Sequence, residues 1–363
     1  SRSKEVMTTK TRTSLHRIPA LGSSAAGSVT LGLALACSLL AGCAGGTSSS
    51  GNTQTSRAVN DVPDAPRTKQ TVADQALDRA QKLLAQGMKR PALVEFERAI
   101  ENNPSLPSAY MGAAEIYREQ GDYESAAVRF GQAADLMPQS FEPRYKQGLM
   151  LQLLNRLHEA VKAYIKALEI NPSDFEANLN VATAYLQLGE ASSGLPFAQR
   201  SVQINPKSGP AHANLGSIYS TLNRHQDAVN EYRQALELVE LSPPLLLNLA
   251  NSLGKIGRFD EMLNTLNQVI RIQPSAAAYE RTGFAHFRLG RFDEALKAFR
   301  TSVEIDPNYA PGHTGIGVCL LNEYEFAKRA NDDFRSEGLK HLRLSVQLDP
   351  RQNQVIDLIN RYR

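Results

Sequence analysis

From residue 72 onward, small and bulky apolar residues recur at set distances from a proline. Pro104, Pro138, Pro172 and Pro206 are spaced 34 residues apart; Pro274 follows after 68, Pro307 after 33 and Pro350 after 43. Twelve residues ahead of each such position stands Ala92, Ala126, Ala160, Gly194, Ala228 or Ala295, with Met262 and Gly338 in the remaining two repeats. Twenty-four ahead stand Ala80, Ala114, Gly148, Ala182, Gly216, Ala250 and Gly283, and eight ahead there is often a ring: Phe96, Phe130, Tyr164, Tyr232 or Phe299. Small residues at two places let two helices approach closely, and the ring fills the space beside them. The pattern predicts a helix-turn-helix unit repeated along the chain, each copy burying its apolar face against its neighbours.

The turns follow the same period. Gly87, Gly121, Gly189, Gly257 and Gly290 fall where the first helix of a unit must end in a left-handed conformation, and Asn155 and Asn223 take that place in two repeats. Two repeats depart from the rule. The fifth has Glu240 in place of proline, followed by Pro243 and Pro244, which displaces its turn. The eighth has Tyr324 where glycine belongs and nine extra residues, expected as longer helices or an excursion around Glu325 to Asp333. After Pro350, "NQVIDLINRYR" sets Val355, Ile356 and Ile359 on one helical face, predicting a capping helix within 351–363.

The stretch "LGRFDEALKAFRTSVEIDP", residues 289–307, read with this spacing, resembles the tetratricopeptide repeat, and the resemblance covers residues 73–350. It implies an all-α, right-handed superhelical solenoid of about eight repeats over residues 72–350, with repeats ending near 104, 138, 172, 206, 240, 274, 307 and 350. It also implies a concave groove lined by the first helices, into which positions 2, 5, 6, 9, 12 and 13 point when the proline is numbered 32. Position 6 is then Lys146, Asn180, Asn214, Asn248 and Arg281 in successive repeats, with Thr183, Gln187, Ser217 and Asn251 beside them. The three asparagines are expected on a solvated inner face, similar to the asparagine ladder in the repeat domain of O-GlcNAc transferase. They suit recognition of an extended peptide backbone, and equally suit a merely hydrophilic lining. Tyr145 joins Lys146 toward one end of the groove, while Arg281, Phe284, Phe287 and Arg288 cluster toward the other. There the rings could anchor an acidic or aromatic partner side chain, or could simply pack. The carboxylate clamp of some family members finds only Asn248 and Arg281 in place, with Ala213, Ser217 and Ala277 elsewhere, and is disfavoured.

The first residues carry a different message. Six residues precede Met7 and are expected to lie outside the natural reading frame. Lys10, Arg12 and Arg17 follow without an acidic residue, then the apolar run from Val29 to Leu40, the length of a signal h-region and too short to span a bilayer. Leu40, Ala41, Gly42 and Cys43 resemble the lipobox of bacterial lipoproteins. The resemblance implies a signal peptide over residues 1–42 (its natural start at 7) and a diacylglycerol-bearing Cys43, with palmitate among the expected acyl chains. Several such chains anchor more firmly than one. Ala44 then favours outer-membrane sorting, facing the periplasm. An ordinary signal peptide with a chance cysteine is the alternative. Residues 43–71, rich in Gly, Ser, Thr and Asn, are expected as a lipid-anchored flexible linker.

Cleavage would also change the charge. The 363 residues hold 40 basic and 37 acidic residues; residues 1–42 take five basic and one acidic with them, leaving 35 and 36. A net charge near −1 gives no ground for nucleic-acid binding. The scattered histidines, the incomplete "GIG" at Gly315 to Gly317 and the lone Cys319 form no catalytic, cofactor or metal constellation, so an enzyme is not expected. The sequence points to a membrane-anchored scaffold that binds protein or extended peptide segments, in envelope, secretin, pilus or outer-membrane assembly. An adaptor module of a cell-wall enzyme complex is the alternative, and a glycosyltransferase-related repeat protein a third, which would require a catalytic domain beyond the last repeat.

Overall fold

A computed structural model describes residues 68–363; Cys43, the signal segment and nearly all of the expected linker lie outside the described residues. The described residues form seventeen α-helices and no strand, in two units that meet in sequence at Pro206 and Lys207.

The first unit consists of four helix pairs: α1 (Lys69–Ala85) with α2 (Lys89–Asn102), α3 (Pro107–Gln120) with α4 (Tyr123–Leu136), α5 (Phe141–Leu153) with α6 (Leu157–Ile170), and α7 (Phe175–Gln187) with α8 (Ala191–Ile204). Helix α1 starts three residues earlier than residue 72, because the Thr68 hydroxyl accepts from the Thr71 N–H at 3.3 Å and caps it. Inside each pair the small residues do what their spacing requires: Ala80, Ala92, Ala114, Ala126 and Ala160 are fully buried, with Phe96, Phe130 and Tyr164 filled in beside them. A Cβ on Gly148 would stand 2.5 Å from the Tyr164 ring. Each buried ring contributes on the order of 2 to 3 kcal/mol, so the seam is both the register and the main source of stability.

The second unit repeats the scheme with α9 (Gly209–Thr221) and α10 (His225–Leu238), α11 (Pro243–Lys255) and α12 (Phe259–Ile272), α13 (Ala276–Arg288) and α14 (Phe292–Ile305), and α15 (Ala310–Phe326) and α16 (Asp332–Leu348). Where Met262 replaces the small residue, Gly254 stands opposite, and a Cβ there would lie 2.8 Å from the Met262 sulfur. The displaced fifth turn becomes a prolyl helix start at Pro243.

All five turn glycines have φ between 75° and 81°, and Asn155 and Asn223 adopt 57° and 59°. At Asn155 the N–H donates to Gln152 O at 2.9 Å and the next N–H, Arg156, to Leu151 O at 2.8 Å, the paired closure that satisfies the last carbonyls of a helix. The eighth repeat makes the same closure without a tolerant residue: Lys328 and Arg329 carry φ of 50° and 65°. Its nine extra residues go mainly into length, since α15 and α16 run 17 residues each. Gly315 and Gly317 are packing residues, the first against Phe299 and the second against Leu342 and the Gly338 carbonyl. Cys319 is buried, and burial, reinforced by Glu323, pushes its thiol up to about 12, which leaves it unreactive.

Helix α17 (Asn353–Arg361) closes the second unit. Its buried face is Val355 and Leu358, continued by Tyr362 at its C-cap, set against Val318, Leu321, Leu339 and Leu342. The face is rotated from the one expected: Ile356 and Ile359 are only half-buried, because Leu358 and Tyr362 reach the apolar edge of α15 and α16 first.

Candidate functional site on the inner faces of the first helices

In three repeats, position 6 rests on the ring of the repeat before it. The Lys146 ammonium lies 5.8 Å from the Phe130 centroid, and Cβ atoms placed on Gly112 and Gly315 would collide with Phe96 and Phe299. Polar groups at this position therefore stand at the floor of the inner face, where the apolar seam ends. How free they are differs between the two units.

In the first unit the expected groove residues are largely occupied by one another. The Asn180 amide donates to the Tyr145 hydroxyl at 3.1 Å, and Tyr145 stacks on Phe141 with centroids 5.4 Å apart. Burial, with Glu176 and Asp174 adding to it, holds the Tyr145 hydroxyl above its usual range, so it stays protonated. Lys146 is an ion-pair hub: Glu142 lies 2.6 Å away and Glu115 reaches it from α3. Burial opposes its charge, but the hydrogen bonds to Glu115 and Glu142 prevail and raise its proton affinity. Thr183 is buried and its hydroxyl donates to the Leu179 carbonyl at 2.8 Å, while Gln187, exposed, accepts from Gln152 at 3.4 Å.

Asn214, Ser217, Asn248, Asn251, Arg281, Phe284 and Arg288 all fall in the second unit. Asn214 is only 6% exposed, which corrects the expectation of a solvated ladder: it is a floor residue, whereas Asn248 is half-buried. The Ser217 hydroxyl donates to the Ala213 carbonyl at 2.9 Å and accepts from Tyr232 at 3.2 Å. Asn251 orients Arg281, accepting from its Nε at 2.8 Å, and the Ala277 carbonyl accepts from Nη1 at 3.2 Å. Arg288 is exposed and lies over two rings, 4.7 Å from the Phe259 centroid and 5.7 Å from that of Phe284. Phe284 meets Phe259 edge-on at 6.2 Å, so it packs and supports the cation at once; Phe287 meets Phe292 edge-on at 5.2 Å. In contrast to Lys146, Arg281 and Arg288 face no carboxylate within ion-pair distance among the described residues.

The sequence reading missed Glu280. It sits at position 5, one residue before Arg281, is 6% exposed, and burial pushes its carboxyl up to about 7 despite the opposing charge of Arg281. Its signal was its register: position 5 belongs to the same inner set as position 6, and an acid there beside an arginine is a departure from the uncharged pattern of the neighbouring repeats.

Family models described as "Tetratricopeptide repeat" match residues 77–140, 209–238, 243–275 and 276–309, and one described as "TPR repeat" matches 148–189, together more than half of the chain. Among curated proteins, the chain is similar to "Small glutamine-rich tetratricopeptide repeat-containing protein 2" of Mycosarcoma maydis, 34% identical over 128 residues, which is 33% of this chain and 36% of that protein. It is also similar to "DnaJ homolog subfamily C member 3" of Rattus norvegicus, 30% identical over 100 residues, 28% of this chain and 20% of that one. The match thus spans little more than a third of these relatives at most. Among solved structures it is similar to PilW, described as a widely conserved type IV pilus biogenesis factor, at 24% identity and a TM-score of 0.43 over 55% of this chain and 93% of that one.

Proposed function

The chain belongs to the tetratricopeptide repeat family, and on that premise we propose that it is a scaffold that holds segments of partner proteins on the inner faces of its first helices, lipid-anchored at Cys43 in a bacterial cell envelope. The observation that carries the binding half of this reading is the second unit. Asn248 offers a half-buried amide, and the next repeat carries an Arg281 oriented by Asn251 and an exposed Arg288 on a platform of rings. An asparagine amide can donate to and accept from a peptide backbone whatever its side chains, and a ring-supported guanidinium gives one fixed anchor. The anchoring half rests on Leu40-Ala41-Gly42-Cys43 after an apolar run, and on the weakly polar stretch that follows.

Anchoring is tested by feeding cells an alkyne-bearing palmitate and comparing wild type with Cys43→Ser. The wild-type chain takes up label and partitions with membranes; the variant keeps its signal segment and takes up none. Label in the Cys43→Ser protein removes the lipid anchor from the proposal. Partner binding is tested by photocrosslinking from the first helices of the second unit in intact cells.

A further inference from the structure

Buried carboxyls are held by hydrogen bonds or paired charges in most proteins, because an ionised carboxylate out of water is costly. Glu280 has neither: no donor among the described residues lies within hydrogen-bonding distance of it, and its sequence neighbour Arg281 projects about 100° away around α13 toward Asn251. The charged and titratable groups that act on it are few. Arg281 favours its ionised form from the same helix, and Tyr309, just before α15, senses its charge and is itself pushed up to about 12, first by burial. The Arg281 guanidinium spends Nε and Nη1 on Asn251 and Ala277, which leaves Nη2 without an acceptor among the described residues.

We infer that Glu280 and Arg281 form a proton-linked site for an acidic segment of a partner protein: an aspartate or glutamate side chain seats on the Arg281 guanidinium, and the buried Glu280 carboxyl takes up a proton as it does so. This rests on the proposed reading of the inner face as a docking surface and adds the chemistry of what docks. Charge complementarity within one unit favours an acidic occupant. Among the described residues Arg281 and Arg288 have no carboxylate partner, whereas the cation at the matching place in the first unit, Lys146, is already neutralised by Glu115 and Glu142.

Proton uptake follows from the competition for one guanidinium. In the free protein Arg281 offsets part of the cost of ionising Glu280. An incoming carboxylate takes over that positive field and adds a second negative charge nearby, and both effects raise the proton affinity of the buried acid. Binding is therefore tighter at low pH and weakens as Glu280 ionises. A further rise of one pH unit in the bound state corresponds to about fivefold weaker binding at pH 8 than at pH 6.

The test uses the detergent-solubilised full chain and rhodamine-labelled hexaglutamate, with hexaglutamine as the neutral control, followed by anisotropy at pH 6 and pH 8 at constant ionic strength. Hexaglutamate is expected to bind about fivefold more tightly at pH 6, and hexaglutamine not to respond to pH. Glu280→Gln, an amide in the shape of the protonated acid, should bind at both pH values as the wild type does at pH 6, which separates Glu280 from histidines such as His286 that also titrate below pH 8. Arg281→Gln should abolish binding at both. Calorimetry of the wild type at pH 7.5 in phosphate and in Tris should report net proton uptake, a readout that needs no variant to fold. Hexaglutamate binding that is equal at the two pH values without proton uptake, or that keeps its pH dependence in Glu280→Gln, overturns the proton linkage and leaves the docking surface standing. Absence of hexaglutamate binding at either pH overturns the acidic site itself.

Discussion

Asn180 and Tyr145 lie 35 residues apart, one helical repeat and one position, and the amide of the first donates to the hydroxyl of the second at 3.1 Å. This bond gives part of the inner face a structural task. An amide engaged by its own chain has less to offer a ligand than one that is open to it, so identical residues in the same register need not play identical roles.

Replacing Asn180 by alanine should cost stability in the first unit, about 0.5 to 1.5 kcal/mol, the net worth of one such hydrogen bond. Asn248→Ala, in a half-buried amide without such a partner bond to a ring hydroxyl, should stay within about 0.5 kcal/mol of wild type. Urea midpoints of the two variants decide it: equal midpoints would mean that the Asn180 bond contributes nothing.

The repeat architecture was legible because it is local. Prolines spaced by 34, small residues at two fixed offsets and a ring at a third determine helix, turn and seam, and even Asn155 and Asn223 at turn positions follow from a single backbone rule. The state of the inner face was not legible, since it depends on pairs separated by about one repeat: Lys146 with Glu115, Asn180 with Tyr145, Arg281 with Asn251. Register shows that such residues share a face, but not which of them bond to each other. Glu280 was hidden for a related reason, because its burial depends on what packs against α13, with Tyr309 before α15 near it, and not on the sequence of its own helix.

Glu280 should make stability fall with rising pH. Its carboxyl is raised from 4.5 to about 7 in the folded chain, so the folded state binds the extra proton: the contribution is fully present below pH 4.5 and is lost as pH rises through 7. Glu280→Gln removes this loss. The variant should match wild type near pH 4.5 and exceed it at pH 8, by roughly 2 to 3 kcal/mol on the linkage relation. Urea unfolding at the two pH values measures the difference, and a variant no more stable than wild type at pH 8 would contradict the burial argument.

Lys328 holds a left-handed conformation, with φ of 50°, that a Cβ atom disfavours. Lys328→Gly should stabilise the eighth repeat by about 0.5 to 1 kcal/mol, the steric relief less the added freedom of glycine in the unfolded chain. Amide exchange in α15 and α16 should slow accordingly; faster exchange would mean that Lys328 makes contacts that outweigh its strain.

Removing residues 353–363 uncovers Val318, Leu321, Leu339 and Leu342. In a stack whose units are stabilised only by neighbours, the new end should fray and associate. Loss of amide protection in α16 together with concentration-dependent light scattering is the expected result, and unchanged protection would deny α17 its capping role.

Where a partner touches the second unit decides whether the inner faces of its first helices are the docking surface. A photoreactive benzoylphenylalanine at Ser217 or Asn248, on the first helices, is compared in intact cells with the same group at Asn230 or Asn264, exposed on the second helices. Irradiation should give discrete protein adducts from the first pair and none from the second, and Arg281→Gln should diminish them. Adducts that arise only from Asn230 or Asn264, or that are indifferent to the first-helix positions, would contradict the inner-face scaffold.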